Sequence, residues 1–246
     1  MGEKGNRTLS ILFTVFNVRI GRWCTNPRRT GRGSRSALEL YLKELLSLPA
    51  RDDHEVYLSD GGHFENLGLY ELIRRRCKYI VAVTADTEGD SLVDAHGNLG
   101  KAARYIREDF GVQLHMHGLA ALERDAQGGV RSWYCVGEIR YPREVDAGGV
   151  PGWESGVIVV IKTGMVTAEA SVDLINHWRQ NPAFPYDATI DQQYDQAQFE
   201  AYRQLGYLAG RAVAKESLTA EPDLDVRFRA IARAFARETA TSEVRW

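Results

Sequence analysis

Cysteine is scarce in this 246-residue chain: Cys24, Cys77 and Cys135 lie far apart, with no Cys-x-x-Cys pair. That spacing excludes a disulfide framework and a cysteine zinc site, and reads as buried thiols in a reducing compartment. Long hydrophobic runs are missing too. The longest apolar stretches, 10–16, 79–85 and 156–161, fall well short of the roughly 18–20 residues that span a bilayer and suit core elements instead. The N-terminal segment MGEKGNRTLSILFTVFN has no convincing cleavage site and is not read as a signal peptide. Neither sign of charge dominates: 31 Lys and Arg face 33 Asp and Glu, for a net charge of −2. No whole-chain field therefore draws the protein to nucleic acid or to an anionic membrane, and a cytoplasmic chain is expected. Walker-type phosphate loops, the dinucleotide Gly-x-Gly-x-x-Gly and the Gly-x-Ser-x-Gly elbow are all absent; Ser34, Ser59, Ser91 and Ser155 each lack one or both flanking glycines. The chain does have 44% hydrophobic residues, enough for a real core in one large domain or two small ones.

Residues 8–20 suit a helix or a buried strand equally. Residues 21–36 read as a loop from their Gly, Pro and Ser content, with Arg22, Arg28, Arg29, Arg32 and Arg35 as a solvated basic face. Residues 37–48 repeat apolar side chains at helical spacing and stop before Pro49. The run 55–59 reads as a buried strand ending at Asp60-Gly61-Gly62. Asn66 is placed to cap a helix over 67–76, which Arg74, Arg75 and Arg76 close, and 79–85 is a second buried strand. Strand, turn, helix and strand over 55–85 predict a βαβ unit of a parallel sheet. Further helices are expected at 100–110 and 171–180. Two strands, 132–141 and 157–163, suit a pair. Two amphipathic helices separated by Pro222 carry Phe199, Tyr202, Leu205 and Leu208, then Phe228, Ile231 and Phe235. The loop 181–197 is aromatic and acidic, and Phe184 to Tyr194 could line an acyl site.

Several constellations bear on chemistry. Asp60, at the carboxyl end of a predicted strand, sits where open α/β sheets hold ligands, and Gly61 and Gly62 permit a sharp turn and a close approach. A carboxylate there can orient a nucleophile or act as a base; an ordinary Asp-Gly turn is the plainer alternative. Asp86, Glu88 and Asp90 end the next strand, so Asp60, Asp86 and Asp90 together suit an oxygen-ligand divalent-metal site, against the simpler reading of an acidic surface loop. His115 and His117 fall on one side of a strand, but two ligands do not make a zinc site. His63 can carry a proton or merely pack in the turn. Gly89-Asp90-Ser91-Leu92 matches the start of GDSL-type esterases, yet no late Asp-x-x-His follows it, as they require.

The stretch Val56-Tyr57-Leu58-Ser59-Asp60-Gly61-Gly62-His63-Phe64-Glu65-Asn66-Leu67-Gly68-Leu69-Tyr70-Glu71-Leu72 resembles the second half of the catalytic domain in bacterial patatin-like phospholipases. Phe16-Asn17-Val18-Arg19-Ile20-Gly21 and Phe199-Glu200-Ala201-Tyr202-Arg203 look like flanking parts of the same proteins. That resemblance implies a partial, mostly parallel patatin-like α/β sheet with flanking helices, in a single domain over 1–246. It implies a serine acyl hydrolase in which Asp60 is the aspartate of a Ser–Asp dyad, Gly61 and Gly62 complete its motif, and Gly61, Gly62 and Asn66 are the substrate-binding residues. No cofactor is implied. The implied substrate is a lipid ester, and large relatives can carry upstream membrane segments that would associate the parent protein with a membrane. The nucleophile and the oxyanion loop of the family belong well upstream of the aspartate, so the chain is expected to be the aspartate-bearing half, inactive alone. A truncated product, a fragment, or one chain of a split enzyme with a partner all satisfy that expectation. A non-catalytic scaffold or lipid-interaction domain is the alternative, and a metal-dependent phosphatase or hydrolase on Asp60, Asp86 and Asp90 a further one.

Overall fold

The computed structural model describes residues 21–29, 36–46, 53–85, 96–143, 152–187, 193–217, 223–231 and 233. The expectations for residues 8–20 and for Asp86, Glu88 and Asp90 lie outside them. The chain divides into two compact units, Met1–Asn66 and Leu67–Trp246.

In the first unit, strand β1 (Gly21–Thr25) pairs antiparallel with β2 (Glu55–Ser59), from Gly21 opposite Ser59 to Thr25 opposite Glu55. Trp23 and Tyr57 are register partners, and their rings meet edge to face at 5.3 Å, a cross-strand aromatic pair of the kind that fixes register. Buried Asn26 ties off the end of β1. Its N–H donates to the His54 carbonyl at 2.8 Å, its Nδ2 to the Asp53 carbonyl at 2.8 Å, and its Oδ1 accepts the Arg28 N–H. Helix α1 (Ala37–Leu45) sends Lys43 to Asp53 at 2.5 Å. Two expectations are corrected here. The segment 21–36 begins with a strand, because a partner strand satisfies its backbone despite its loop-like composition. And among the described residues β2 pairs antiparallel with β1 in a two-stranded sheet, with Leu58 exposed, where the sequence predicts the first strand of a parallel βαβ unit.

In the second unit, helix α2 (Leu69–Arg74) leads into β3 (Tyr79–Thr84), followed by α3 (Gly97–Phe110), β4 (Gln113–His117), β5 (Tyr134–Pro142), β6 (Trp153–Lys162), α4 (Val172–Gln180), α5 (Gln196–Ser217) and α6, helical over 224–231. Its four strands lie in the order β3-β6-β5-β4. Among the described strands, β3 and β6 run parallel, while β6 with β5 and β5 with β4 are antiparallel. The sheet is therefore mixed α/β rather than mostly parallel. Successive strands β4, β5 and β6 need no helical crossover to pair antiparallel, whereas a parallel neighbour does. The expected pairing of the strands near 132–141 and 157–163 is the β5–β6 ladder.

Helix α2 starts at Leu69 behind Gly68, whose φ of +68° suits glycine, and no side chain caps it. Asn66 is thus not its cap, contrary to expectation. The main core gathers Leu69 and Ile73 of α2, Leu99, Ala102 and Ile106 of α3, and Ile80, Ile139 and Ile158 of the sheet, with Ile231 of α6. A second core joins Trp133, Met165, Leu174, Phe184 and Leu205. There the Trp133 indole N–H donates to the Gly164 carbonyl at 2.7 Å, which satisfies a polar group that burial would otherwise strand. Cys135 is buried, as expected of a structural thiol; Cys24 and Cys77 are half-buried. Among the described residues no helix is long and apolar enough to cross a membrane.

Candidate functional site

Asp60 stands at the exposed end of β2, in backbone of extended type (φ −59°, ψ 131°). Its carboxylate Oδ1 accepts the N–H of Gly62 at 2.9 Å. The turn that follows, Gly61–His63, is a 3₁₀ turn, in which the Gly61 carbonyl accepts the N–H groups of both Phe64 and Glu65 at 2.9 Å. Asp60 is therefore the N-cap of a single tight turn. The expected positive end of an α-helix behind it is not part of this geometry, because α2 begins only at Leu69.

All four candidate residues come together in or beside this turn. A β-carbon on Gly62 would lie 2.7 Å from Asn66 Oδ1 and 3.4 Å from Asp60 Oδ1, whereas one on Gly61 would meet nothing within 4 Å. A side chain on Gly62 would thus displace the Asn66 carboxamide, whereas one on Gly61 has open space around it. Asn66 closes the turn from its far side instead of capping a helix. The side chain of His63 lies outside the described residues. What the turn offers is an exposed carboxylate whose direction is set by a backbone amide of its own motif, an arrangement able to orient a hydroxyl or accept its proton.

The remaining candidates are dispersed. Asp86 and Asp90, needed for the metal reading, fall outside the described residues, and among the described residues no three His, Cys, Asp or Glu side chains are grouped to hold a metal. His115 and His117 do alternate to one side of β4, both exposed; His115 lies 3.2 Å from Gln113, while His117 borders a cleft of about 600 Å³ shared with Glu138, Asp225 and Arg229. At that cleft Asp225 accepts from the Tyr79 hydroxyl and pairs with Lys78 at 3.2 Å. Of the aromatic loop, Phe184 is buried in the second core and Tyr194 stacks on Tyr202 at 5.5 Å.

Sequence reasoning missed a cleft of about 460 Å³ at the end of α4, lined by Arg124, Trp178, Arg179, Pro182, Phe184 and Tyr186. The aromatic density of 178–186 was its one visible signal; the arginines arrive from separate places in the chain. Compared with models of protein families, with curated proteins and with solved structures, the chain matches none. A functional reading accordingly stands on the Asp-Gly-Gly turn and the residues around it.

Proposed function

We propose that this chain supplies the aspartate of a patatin-like Ser–Asp acyl hydrolase acting on lipid esters, with Asp60 as the dyad carboxylate. The observation that carries the reading is the exposed Asp60 carboxylate, aimed by the Gly62 amide at 2.9 Å, within the stretch 56–72 that resembles the family. In the reaction, the serine Oγ–H proton passes to Asp60 as Oγ attacks the ester carbonyl carbon. The oxyanion collapses, the ester C–O bond breaks, and the departing alkoxide takes the proton from Asp60. Water then attacks the acyl-serine by the reverse proton path and releases the carboxylic acid. Gly62 and Asn66 hold the carboxylate's surroundings, beside which the substrate would lie. Because the chain contains no Gly-x-Ser-x-Gly, the nucleophile and oxyanion donors come from other polypeptide.

The test is labelling with a fluorophosphonate probe, read by mass spectrometry, beside hydrolysis of short-chain nitrophenyl esters. The isolated chain is expected to give no serine adduct and no turnover. Supplied with the polypeptide encoded immediately upstream of Met1, it is expected to label on one serine of that polypeptide and to turn over, and Asp60→Asn should abolish turnover. A serine adduct on the isolated chain, or turnover that survives Asp60→Asn, would overturn the reading.

A further inference from the structure

Charge is unevenly spread along this chain. Residues 4–38 hold eight Lys and Arg and no Asp or Glu, a run that the near-neutral net charge conceals. Within it Arg22, Arg28 and Arg29 are exposed. Arg22 on β1 is the register partner of Leu58 on β2, and Leu58 is 55% exposed. Partners in an antiparallel pair point to the same face, so a guanidinium and a leucine stand side by side in solvent.

Helix α1 follows this run with its faces in an unusual order. Ser36 Oγ accepts the Glu39 N–H at 3.2 Å and caps the helix. Lys43, half-buried, pairs with Asp53 of the same unit at 2.5 Å. Leu38 and Leu42 are instead 66% and 45% exposed, and Leu46, one residue past the end of α1, is 53% exposed. Steps of four residues set these three leucines in one stripe. Apolar side chains in water forgo the free energy that burial supplies, so a grouped stripe marks a contact surface. A protein groove accepts leucines but has no need of eight cations. A nucleic acid accepts the cations but has no place for the leucines. An anionic bilayer accepts both: the boundary between headgroups and acyl chains takes the leucines, and the headgroup charges attract the arginines.

We propose that the first unit docks on an anionic membrane surface. Leu38, Leu42 and Leu46 enter the boundary of the headgroup layer, Arg22, Arg28 and Arg29 meet lipid headgroups, and the whole basic run supplies the long-range attraction. One such signal holds a protein on a bilayer only weakly; the two together give stable binding. Docking requires neither Asp60 nor a nucleophile, so it stands or falls apart from the acyl-hydrolase reading.

The experiment is sedimentation of the whole chain with lipid vesicles, of phosphatidylcholine alone or with phosphatidylserine added. The chain is expected to bind the phosphatidylserine vesicles saturably, at least about tenfold more tightly than the neutral ones, and to lose that preference as salt screens the headgroups. Arg28→Gln and Arg29→Gln are each expected to cost about fivefold in affinity for the anionic vesicles. Leu42→Ser is expected to cost about tenfold with unchanged circular dichroism, and Leu42→Met to retain most of the binding. Absence of binding to either vesicle, equal binding to both, or binding indifferent to Leu42→Ser would each overturn the proposal. So would self-association in place of vesicle binding, abolished by Leu42→Ser, which would make the stripe a contact between copies of the chain.

Discussion

The carboxamide oxygen of Asn66 lies over the Cα of Gly62 so closely that a β-carbon there would sit 2.7 Å from it. The Asp-Gly-Gly turn is thus held on both sides, by Asp60 before it and Asn66 after it, and its two glycines are not equivalent.

Gly62→Ala is expected to push the exposed Asn66 side chain aside and crowd the Asp60 carboxylate, while Gly61→Ala leaves both where they are. Because the displaced group is the free end of a surface side chain, stability should change by no more than about 0.5 kcal/mol in either variant. The Asn66 side-chain amide resonances report the difference: they should move in Gly62→Ala and stay in Gly61→Ala.

Gly156 has no such freedom around it. A β-carbon there would lie 2.7 Å from the backbone carbonyl oxygen of Lys78, which itself accepts the Val157 N–H at 2.8 Å. Backbone cannot swing away as a side chain does, so Gly156→Ala should destabilise by about 1–3 kcal/mol through the strain of overpacking. Urea unfolding of the two proteins measures this, and equal midpoints would show that β3 and β6 are not packed this closely.

Tyr141 is buried, its hydroxyl donates to the Cys77 carbonyl at 2.6 Å, and the Arg76 guanidinium lies 5.0 Å above its ring. Tyr141→Phe keeps the ring and removes the hydrogen bond. A loss of about 0.5–1.5 kcal/mol is expected, seen as a lower urea midpoint at unchanged slope.

Alkaline pH should weaken the second unit. Burial pushes the Cys135 thiol up to about 12 from its ordinary 9.0, and burial chiefly pushes the Tyr141 phenol up to about 12 from 10.0. Both are raised in the folded state, so the unfolded chain loses these protons first. Their contribution is complete below about pH 9 and falls as pH rises towards 12. Cys135→Ala should make the decline of stability between pH 9 and 12 shallower than in the wild type; parallel curves would mean that this thiol is not protected by burial.

Local signals made much of the second unit legible. The apolar runs of β3 and β6, and the helical spacing of Leu99, Ala102 and Ile106 along α3, follow from which side chains need cover. The turn after β2 was legible because Asp followed by two glycines has few other uses. What could not be read was partnership. Val56 and Leu58 look like a core strand in isolation, yet β2 pairs with a segment whose Arg, Gly and Pro neighbours disguise it. Asn66 has the right chemistry for a helix cap but lies two residues before the actual cap position, where Gly68 supplies the backbone conformation instead. The cleft with Arg124 and Arg179 was out of reach for the same reason: its charges meet only after folding.

The parallel pairing of β3 with β6 also bears on the order of folding. Strands β4, β5 and β6 follow one another and can zip together as a meander, but Tyr79 of β3 must wait for Val157 far along the chain. During synthesis β3 emerges long before its partner exists, so its Ile80 and Ala82 stay without their final cover until the ribosome has delivered β6. Closing the long loop from β3 to β6 costs more chain entropy than zipping the meander, so docking of the early strand is expected to come last.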